Sequence, residues 1–301
     1  MDPRDSTALP ASPSVDIPAL ERFAAQVRGD CLRAVHHAKG GHLGGPFSAA
    51  DILVALYFAV LHIRPQEPDW PQRDRFILSK GHSAIGLYAT LAARGYFPRA
   101  ELATFDAIDS RLQGHPDMTM LPGLDMSSGS LGQGLSPGLG MALGARLRGE
   151  SWHTWVMLGD GECQEGQVWE AAWVAARYGA SNLTAILDFN GLQQFGWPGP
   201  TPGSRRPPWD SLEGMAARWQ AFGWHTIAID GHDMGQILDA CAQARAYAAG
   251  PTIILARTAK GHGVSFMAGN YEWHARVPTD AELAAALQEL GMAEEGAWGG
   301  G

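Results

Sequence analysis

The residues best suited to do chemistry are Gly159-Asp160-Gly161-Glu162 and, thirty positions beyond Asp160, Asn190 in Asp188-Phe189-Asn190-Gly191. A small hard dication takes octahedral oxygen ligands and usually shares them among a carboxylate, water and substrate phosphates. Asp160 and Asn190 supply two such oxygens. Each follows an apolar run, Thr154 to Leu158 and Leu183 to Leu187, which places both at the carboxyl ends of parallel strands, where open α/β sheets bind ligands. A helix predicted to begin near Gln164-Glu165-Gly166-Gln167 adds free N–H groups, and with those of Gly161 and Glu162 they suit a diphosphate oxygen. Gly-Asp-Gly is also ordinary turn chemistry, so the pair needs corroboration elsewhere in the chain.

The elements that must position these residues follow from periodicity. Helical patterns run at roughly 17–38, 48–60, 83–94, 131–149, 165–179, 211–222, 234–249 and 280–290. Strand-like runs alternate with several of them: Arg75 to Leu78, Trp155 to Leu158, Ala185 to Leu187, Thr226 to Ile229 and Thr252 to Leu255. That alternation predicts one doubly wound, mostly parallel α/β sheet with helices on both faces, over residues 16–292. Residues 1–15, rich in Pro, Ser, Asp and Ala, read as a disordered leader, and 293–301 as a flexible tail. The segment 196–210, dense in proline, is too long for an ordinary connection and reads as functional or mobile.

Composition narrows the function. Thirty-one acids against 22 bases give a net charge of −9, which argues against nucleic acid or an anionic membrane as a partner. Bound phosphate must therefore be held locally. The three cysteines, Cys31, Cys163 and Cys241, show no paired spacing, so a disulfide framework is not expected and a reducing cytoplasm is. No stretch of eighteen apolar residues occurs, and a soluble protein is expected. Eleven histidines invite a metal, yet none has the spacing of a zinc helix or finger. His36, His37, His62, His153, His225 and His232 read as structural residues. His42, His82, His115 and His274 differ, because each lies beside glycine or in a loop where side chains converge on a crevice.

The motifs resemble those of transketolase, in particular its N-terminal, thiamine diphosphate-binding half in the form split across two polypeptides. The resemblance runs from about Phe23 to Leu290 and rests on ordered blocks: Gly40-Gly41-His42-Leu43-Gly44-Gly45, Arg73 to His82, Gly114-His115-Pro116, Gly129-Ser130-Leu131-Gly132-Gln133-Gly134, the Asp160 to Asn190 pair, and the later Glu272-Trp273-His274. It implies a transferase that moves a two-carbon ketol unit from a ketose (phosphate) donor to an aldose or related acceptor. It also implies thiamine diphosphate and Mg2+, or another dication such as Ca2+, with Asp160, Asn190 and the carbonyl of Leu192 on the metal. His82, Gly129, Ser130, Leu131, Asp160, Gly161, Glu162, Asn190 and His274 are then cofactor-binding. His42, His115 and His274 are catalytic, since imidazoles near neutral pKa can take a proton from the sugar hydroxyl and stabilise the carbonyl oxygen.

The resemblance carries three further expectations. Glu165 and Glu170 match positions at the interface between catalytic chains, although early helical carboxylates also simply complement the helix dipole. The residues that would protonate and stack on the aminopyrimidine and grip the sugar phosphate belong to the family's second half, so a C-terminal subunit is expected as partner, in an α2β2 assembly. Leu192-Gln193-Gln194-Phe195-Gly196 and His262 in Lys260-Gly261-His262-Gly263 depart from the family pattern, which leaves room for a specialised ketol or acyl transfer in secondary metabolism. A 2-oxo acid dehydrogenase component, deoxyxylulose-phosphate synthase and a non-catalytic paralogue are the other classes. Leu131, Leu135, Leu139, Leu143 and Leu147 recur every four residues among glycines, which reads as a tightly packed buried helix.

Overall fold

A computed structural model describes residues 15–194 and 211–292. The expected 196–210 loop, the 293–301 tail and all but the last residue of the expected leader lie outside the described residues. Five strands, β1 (Arg75–Leu78), β2 (Thr154–Gly159), β3 (Leu183–Phe189), β4 (His225–Asp230) and β5 (Thr252–Arg257), form one parallel sheet in the order β1-β2-β3-β5-β4. Alternation within β1, β2, β3 and β5 sends side chains to two separate cores. Trp155, Met157, Ile186 and Ile254 meet one of them. Val156, Leu158, Ala185, Leu187, Ile253 and Leu255 meet the other.

Helices α1 (Ile17–Ala38), α2 (Gly44–Ala55), α3 (Ala84–Arg94), α7 (Met234–Ala246) and α8 (Asp280–Glu289) supply the first core. Helices α4 (Leu135–Arg148), α5 (Gly166–Arg177) and α6 (Leu212–Ala221) supply the second. Their starts are written locally. Asp16, Ser211 and Asp233 each accept a backbone N–H at a helix N-terminus, and Thr279 forms a reciprocal capping box with Glu282. Asp74, buried just before β1, accepts the N–H groups of His62 and His153 at 2.9 and 2.8 Å and the guanidinium of Arg245 at 2.6 Å. One carboxylate thus aligns the starts of β1 and β2.

Two predicted helices start elsewhere, α7 stops at Ala246 and not at 249, and the leucine stripe is not one buried face. α2 begins at Gly44, ahead of the predicted 48, because Gly44 and Gly45 sit in crevices where a Cβ would meet Lys260 Cγ at 2.5 Å and Ser83 Oγ at 2.6 Å. Its last turn widens into a π-helical turn at Leu56–Val60. α4 begins at Leu135, not 131, since Gly132 takes φ +81°, a left-handed conformation that ends helical geometry. The leucine stripe is not buried throughout: Leu135 and Leu139 are, whereas Leu131 is 37% and Leu147 89% exposed. A four-residue repeat drifts by about 40° per step around a 3.6-residue helix, so the stripe winds off the packed face. The face that packs carries Gly138, Ala142 and Ala145.

At Gly138 a Cβ would lie 2.5 Å from Val156 Cγ2, while at Gly140 and Gly144 it would meet nothing within 4 Å. Gly138→Ala should therefore overpack the α4–sheet contact and destabilise the chain by about 1–3 kcal/mol. Gly140→Ala and Gly144→Ala should each stabilise it by roughly 0.5–1 kcal/mol through helix propensity. Urea unfolding of the three variants checks the opposite signs.

Candidate active site

The register of β2 and β3 pairs Gly159 with Asp188, so the next residues, Asp160 and then Asn190, emerge at the carboxyl end of the sheet. They line one cavity of about 370 Å3, together with Gly45, Lys80, His82, Leu131, Gly159, Gly161, Glu162, Gln164, Gln193, Gln194, Lys260 and His274. Asp160 is buried; its Oδ1 accepts Gly161 N–H at 3.0 Å and its Oδ2 accepts Gly191 N–H at 2.7 Å. Burial, with Asp188 nearby, raises its pKa to about 6. No ion pair reaches it among the described residues. Asn190 Oδ1 accepts Leu192 N–H at 3.2 Å. Leu192 does not line the cavity, whereas Gln193 and Gln194 do, both with positive φ, 44° and 69°, a strained geometry of the kind found at functional loops.

Asp188 has the opposite environment. Lys80 and Thr258 bond its two oxygens and Ser48 Oγ donates to Oδ2 at 2.6 Å. Burial alone would raise its pKa, but Lys80 and these donors bring it below the ordinary value. Lys80, fully buried, also donates to Gly45 O at 3.1 Å.

Glu162 is committed to the chain itself. Its Oε1 accepts Ser79 Oγ at 2.5 Å and Gly132 N–H at 2.8 Å, and its Oε2 accepts Gly159 N–H at 2.9 Å. Burial raises its pKa, against those three donors. Its side chain thus stitches the 129–134 block to the Asp160 turn. In that block Leu131 lines the cavity, Ser130 is exposed, and Gly129 sits against His115, where a Cβ would be 3.2 Å from Cδ2.

The four histidines singled out by sequence do converge. Ring centres of His42, His82 and His274 lie 5.1–5.3 Å apart, and His115 lies 6.4 Å from His42. Burial, reinforced by Lys80, lowers the pKa of His82 to about 2; burial and Lys260 lower that of His274 to about 3; burial and His115 lower that of His42. All three are neutral at physiological pH. Lys260 Nζ lies 3.0 Å from His274 Nδ1. An ammonium only donates, which assigns Nδ1 as acceptor and leaves the proton on Nε2. Burial and Lys80 bring Lys260 down to about 8.

The remaining histidines stay apart from this cluster. His153 bonds Thr184, His225 stacks on Tyr247, His62 meets Trp70 and His36 bonds Asp280. Glu165 and Glu170 are exposed at the start of α5. Sequence reasoning assigns no role to Lys80, Lys260 or the two glutamines. The signal is present for the lysines, each next to a glycine within a motif block, but their burial is not readable there. All three cysteines are buried and free, and no helix among the described residues is long and apolar enough to cross a membrane.

This is a doubly wound α/β protein with a crevice at the carboxyl end of its sheet. Residues 20–298 match the family described as transketolase, thiamine diphosphate binding domain, and the chain belongs to the transketolase family. It is 39% identical over 271 residues to the 6-deoxy-6-sulfo-D-fructose transketolase subunit SqwG of Clostridium sp. (strain MSTE9), covering 90% of this chain and 96% of that protein. It is 37% identical over 276 residues to one subunit of the apulose-4-phosphate transketolase of Phocaeicola vulgatus, covering 92% and 95%. Human transketolase is 38% identical over 86% of this chain, which spans 40% of that protein. Among solved structures, Campylobacter jejuni transketolase superposes with a TM-score of 0.85 at 28% identity, over 95% of this chain and 44% of that one. The expected fold and the expected N-terminal, cofactor-binding transketolase subunit both hold.

Lys80→Met should leave Asp188 buried without its counter-charge and destabilise the chain by about 3–5 kcal/mol, and adding Asp188→Leu should recover most of that loss. Chemical denaturation of the single and double variants measures both.

Proposed function

We propose that this chain is the cofactor-binding subunit of a two-chain transketolase, acting in the cytoplasm in an α2β2 complex with a C-terminal subunit. One observation carries the reading: Asp160 is a buried carboxylate that receives two backbone N–H groups and, among the described residues, no ion-paired cation, beside an Asp188 that already has its lysine. Such a group is suited to an external dication. Asp160 and the side-chain oxygen of Asn190 line the cavity and begin an all-oxygen donor set fit for Mg2+, with Ca2+ as a substitute; the carbonyl of Leu192, which does not line the cavity, would have to turn toward it to complete the set. The remaining wall fits a diphosphate: the N–H group of Glu162, neutral His82 and His274, and the ammonium of Lys260. Gly45 supports the same fit, since a Cβ there would lie 3.2 Å from His82 Nε2. Gly129, Ser130 and Leu131 border the space for the ring end.

Thiamine diphosphate, when bound, supplies the nucleophile and electron sink for breaking a ketose carbon–carbon bond. This chain's part is to orient and to move protons. Neutral His42, beside His115, takes the proton of the hydroxyl next to the breaking bond, and His274 Nε2–H stabilises the carbonyl oxygen. The names of two relatives specify a sulfo sugar and a sugar phosphate; a donor ketose with an anionic far end is the class proposed here. Glu165 and Glu170 stand exposed at the start of α5, where a second catalytic chain would meet them.

Asp160→Asn should weaken magnesium-dependent thiamine diphosphate binding by more than about a hundredfold. Because the pKa of Asp160 is raised to about 6, its carboxylate predominates only above that pH. Wild-type dication affinity should therefore fall roughly tenfold per pH unit below about 6. Calorimetric titration between pH 5 and 8 measures both; a flat profile, or normal binding by the variant, contradicts the metal assignment. The purified chain alone should turn over no ketose phosphate, and coupled assays with and without the partner subunit test that.

A further inference from the structure

A second cluster of titratable groups lies behind the loop that carries Lys260. Asp51 on α2 receives Arg28 from α1 at 3.1 Å on Oδ1 and 2.5 Å on Oδ2. His232, in the turn between β4 and α7, places Nδ1 2.7 Å from the same Oδ2. Its Nε2 lies 2.9 Å from the N–H of Ala259, the residue before Lys260. The His262 ring stacks on that of His232 at 3.5 Å and 9°.

Asp51, His232 and His262 are close enough together to hold a cation, but their bonding already uses the ligand atoms. A backbone N–H only donates, so His232 Nε2 is the bare nitrogen and Nδ1 carries the proton toward Asp51. Burial would raise the pKa of Asp51, yet Arg28 and His232 hold it well below the carboxylate range. A metal would have to displace both His232 bonds and leave the Ala259 N–H unpaired.

The arrangement is instead a strut. It runs from α1 and α2 through the His232 ring to Ala259, and on through Lys260 Nζ to His274 Nδ1 at 3.0 Å. The same loop is fixed at its other end by Gly261 N–H on Gly44 O at 3.2 Å. We infer that His232 is a positioning residue, which holds the 258–262 loop so that Lys260 and His274 face the diphosphate end of the cavity. His262 braces the ring plane by stacking. The inference rests on the cofactor reading proposed above.

Two amide variants separate the two bonds of the ring. A glutamine amide extends about as far as Nε2 and can accept the Ala259 N–H; an asparagine amide reaches only the Nδ1 position and keeps the Asp51 bond alone. On the full-length chain, hydrogen exchange of the 258–262 peptide and the affinity for inorganic diphosphate with magnesium are measured together. His232→Gln should stay near wild type in both. His232→Asn should exchange faster at that peptide and bind about tenfold more weakly, while the unfolding midpoints of the two variants match. Equal binding by His232→Asn and wild type overturns the inference, as does equal weakening in both variants. If His232→Asn does not fold, weak binding by His232→Gln with the peptide still protected overturns it, and binding at wild-type strength supports it. A wild-type chain that fails to bind the probe defeats the cofactor reading and this inference with it.

Discussion

Two carboxylates at the ends of neighbouring parallel strands set the terms for the rest of this molecule. The register that pairs Gly159 with Asp188 brings Asp160 and Asp188 to the same buried end of the sheet, where like charges in low dielectric disfavour each other's ionisation. The chain resolves the conflict unequally. Asp188 receives Lys80, Ser48 and Thr258, while Asp160 receives two backbone N–H groups. One site is closed and structural; the other is suited to a positive charge from outside.

The opposite wall is governed by the same electrostatics with reversed sign. Lys80 and Lys260, both buried, help to keep His82 and His274 uncharged. Neutral imidazoles are donors with a fixed tautomer rather than competing cations, and the tautomer of His274 follows from Lys260. Backbone bonds join the loops that bear these groups: Leu43 N–H to His274 O at 3.3 Å, and Gly261 N–H to Gly44 O at 3.2 Å. A displacement of any one loop therefore shifts its neighbours, which is why a strut as distant as Asp51 and His232 bears on the pocket.

Much of this is legible in the sequence because the signals are local. The bounds of β1, Arg75–Leu78, follow directly, and the other strands emerge with their ends one or two residues short, since short apolar runs between helices leave little freedom in a parallel sheet. Four histidines beside glycine or in loops group together out of eleven, and the structure brings their rings into one cluster. What stays hidden depends on pairings distant in sequence. Lys80 and Asp188 are 108 positions apart, and Asp51 and His232 are 181 apart. His232 reads as a plain structural residue because nothing near it in sequence announces Ala259. The α4 boundary is obscured for a different reason: a leucine repeat of four imitates one helical face, and the positive φ of Gly132 is invisible in a residue name.

The most direct test of the central claim is anomalous diffraction at the manganese edge, from crystals of the chain grown with thiamine diphosphate and Mn2+ in place of Mg2+. The account predicts a single strong peak at coordination distance, about 2.1–2.2 Å, from Asp160, with Asn190 also in the shell. A peak among Asp51, His232 and His262 instead, or density for the diphosphate with no ion at Asp160, would contradict it.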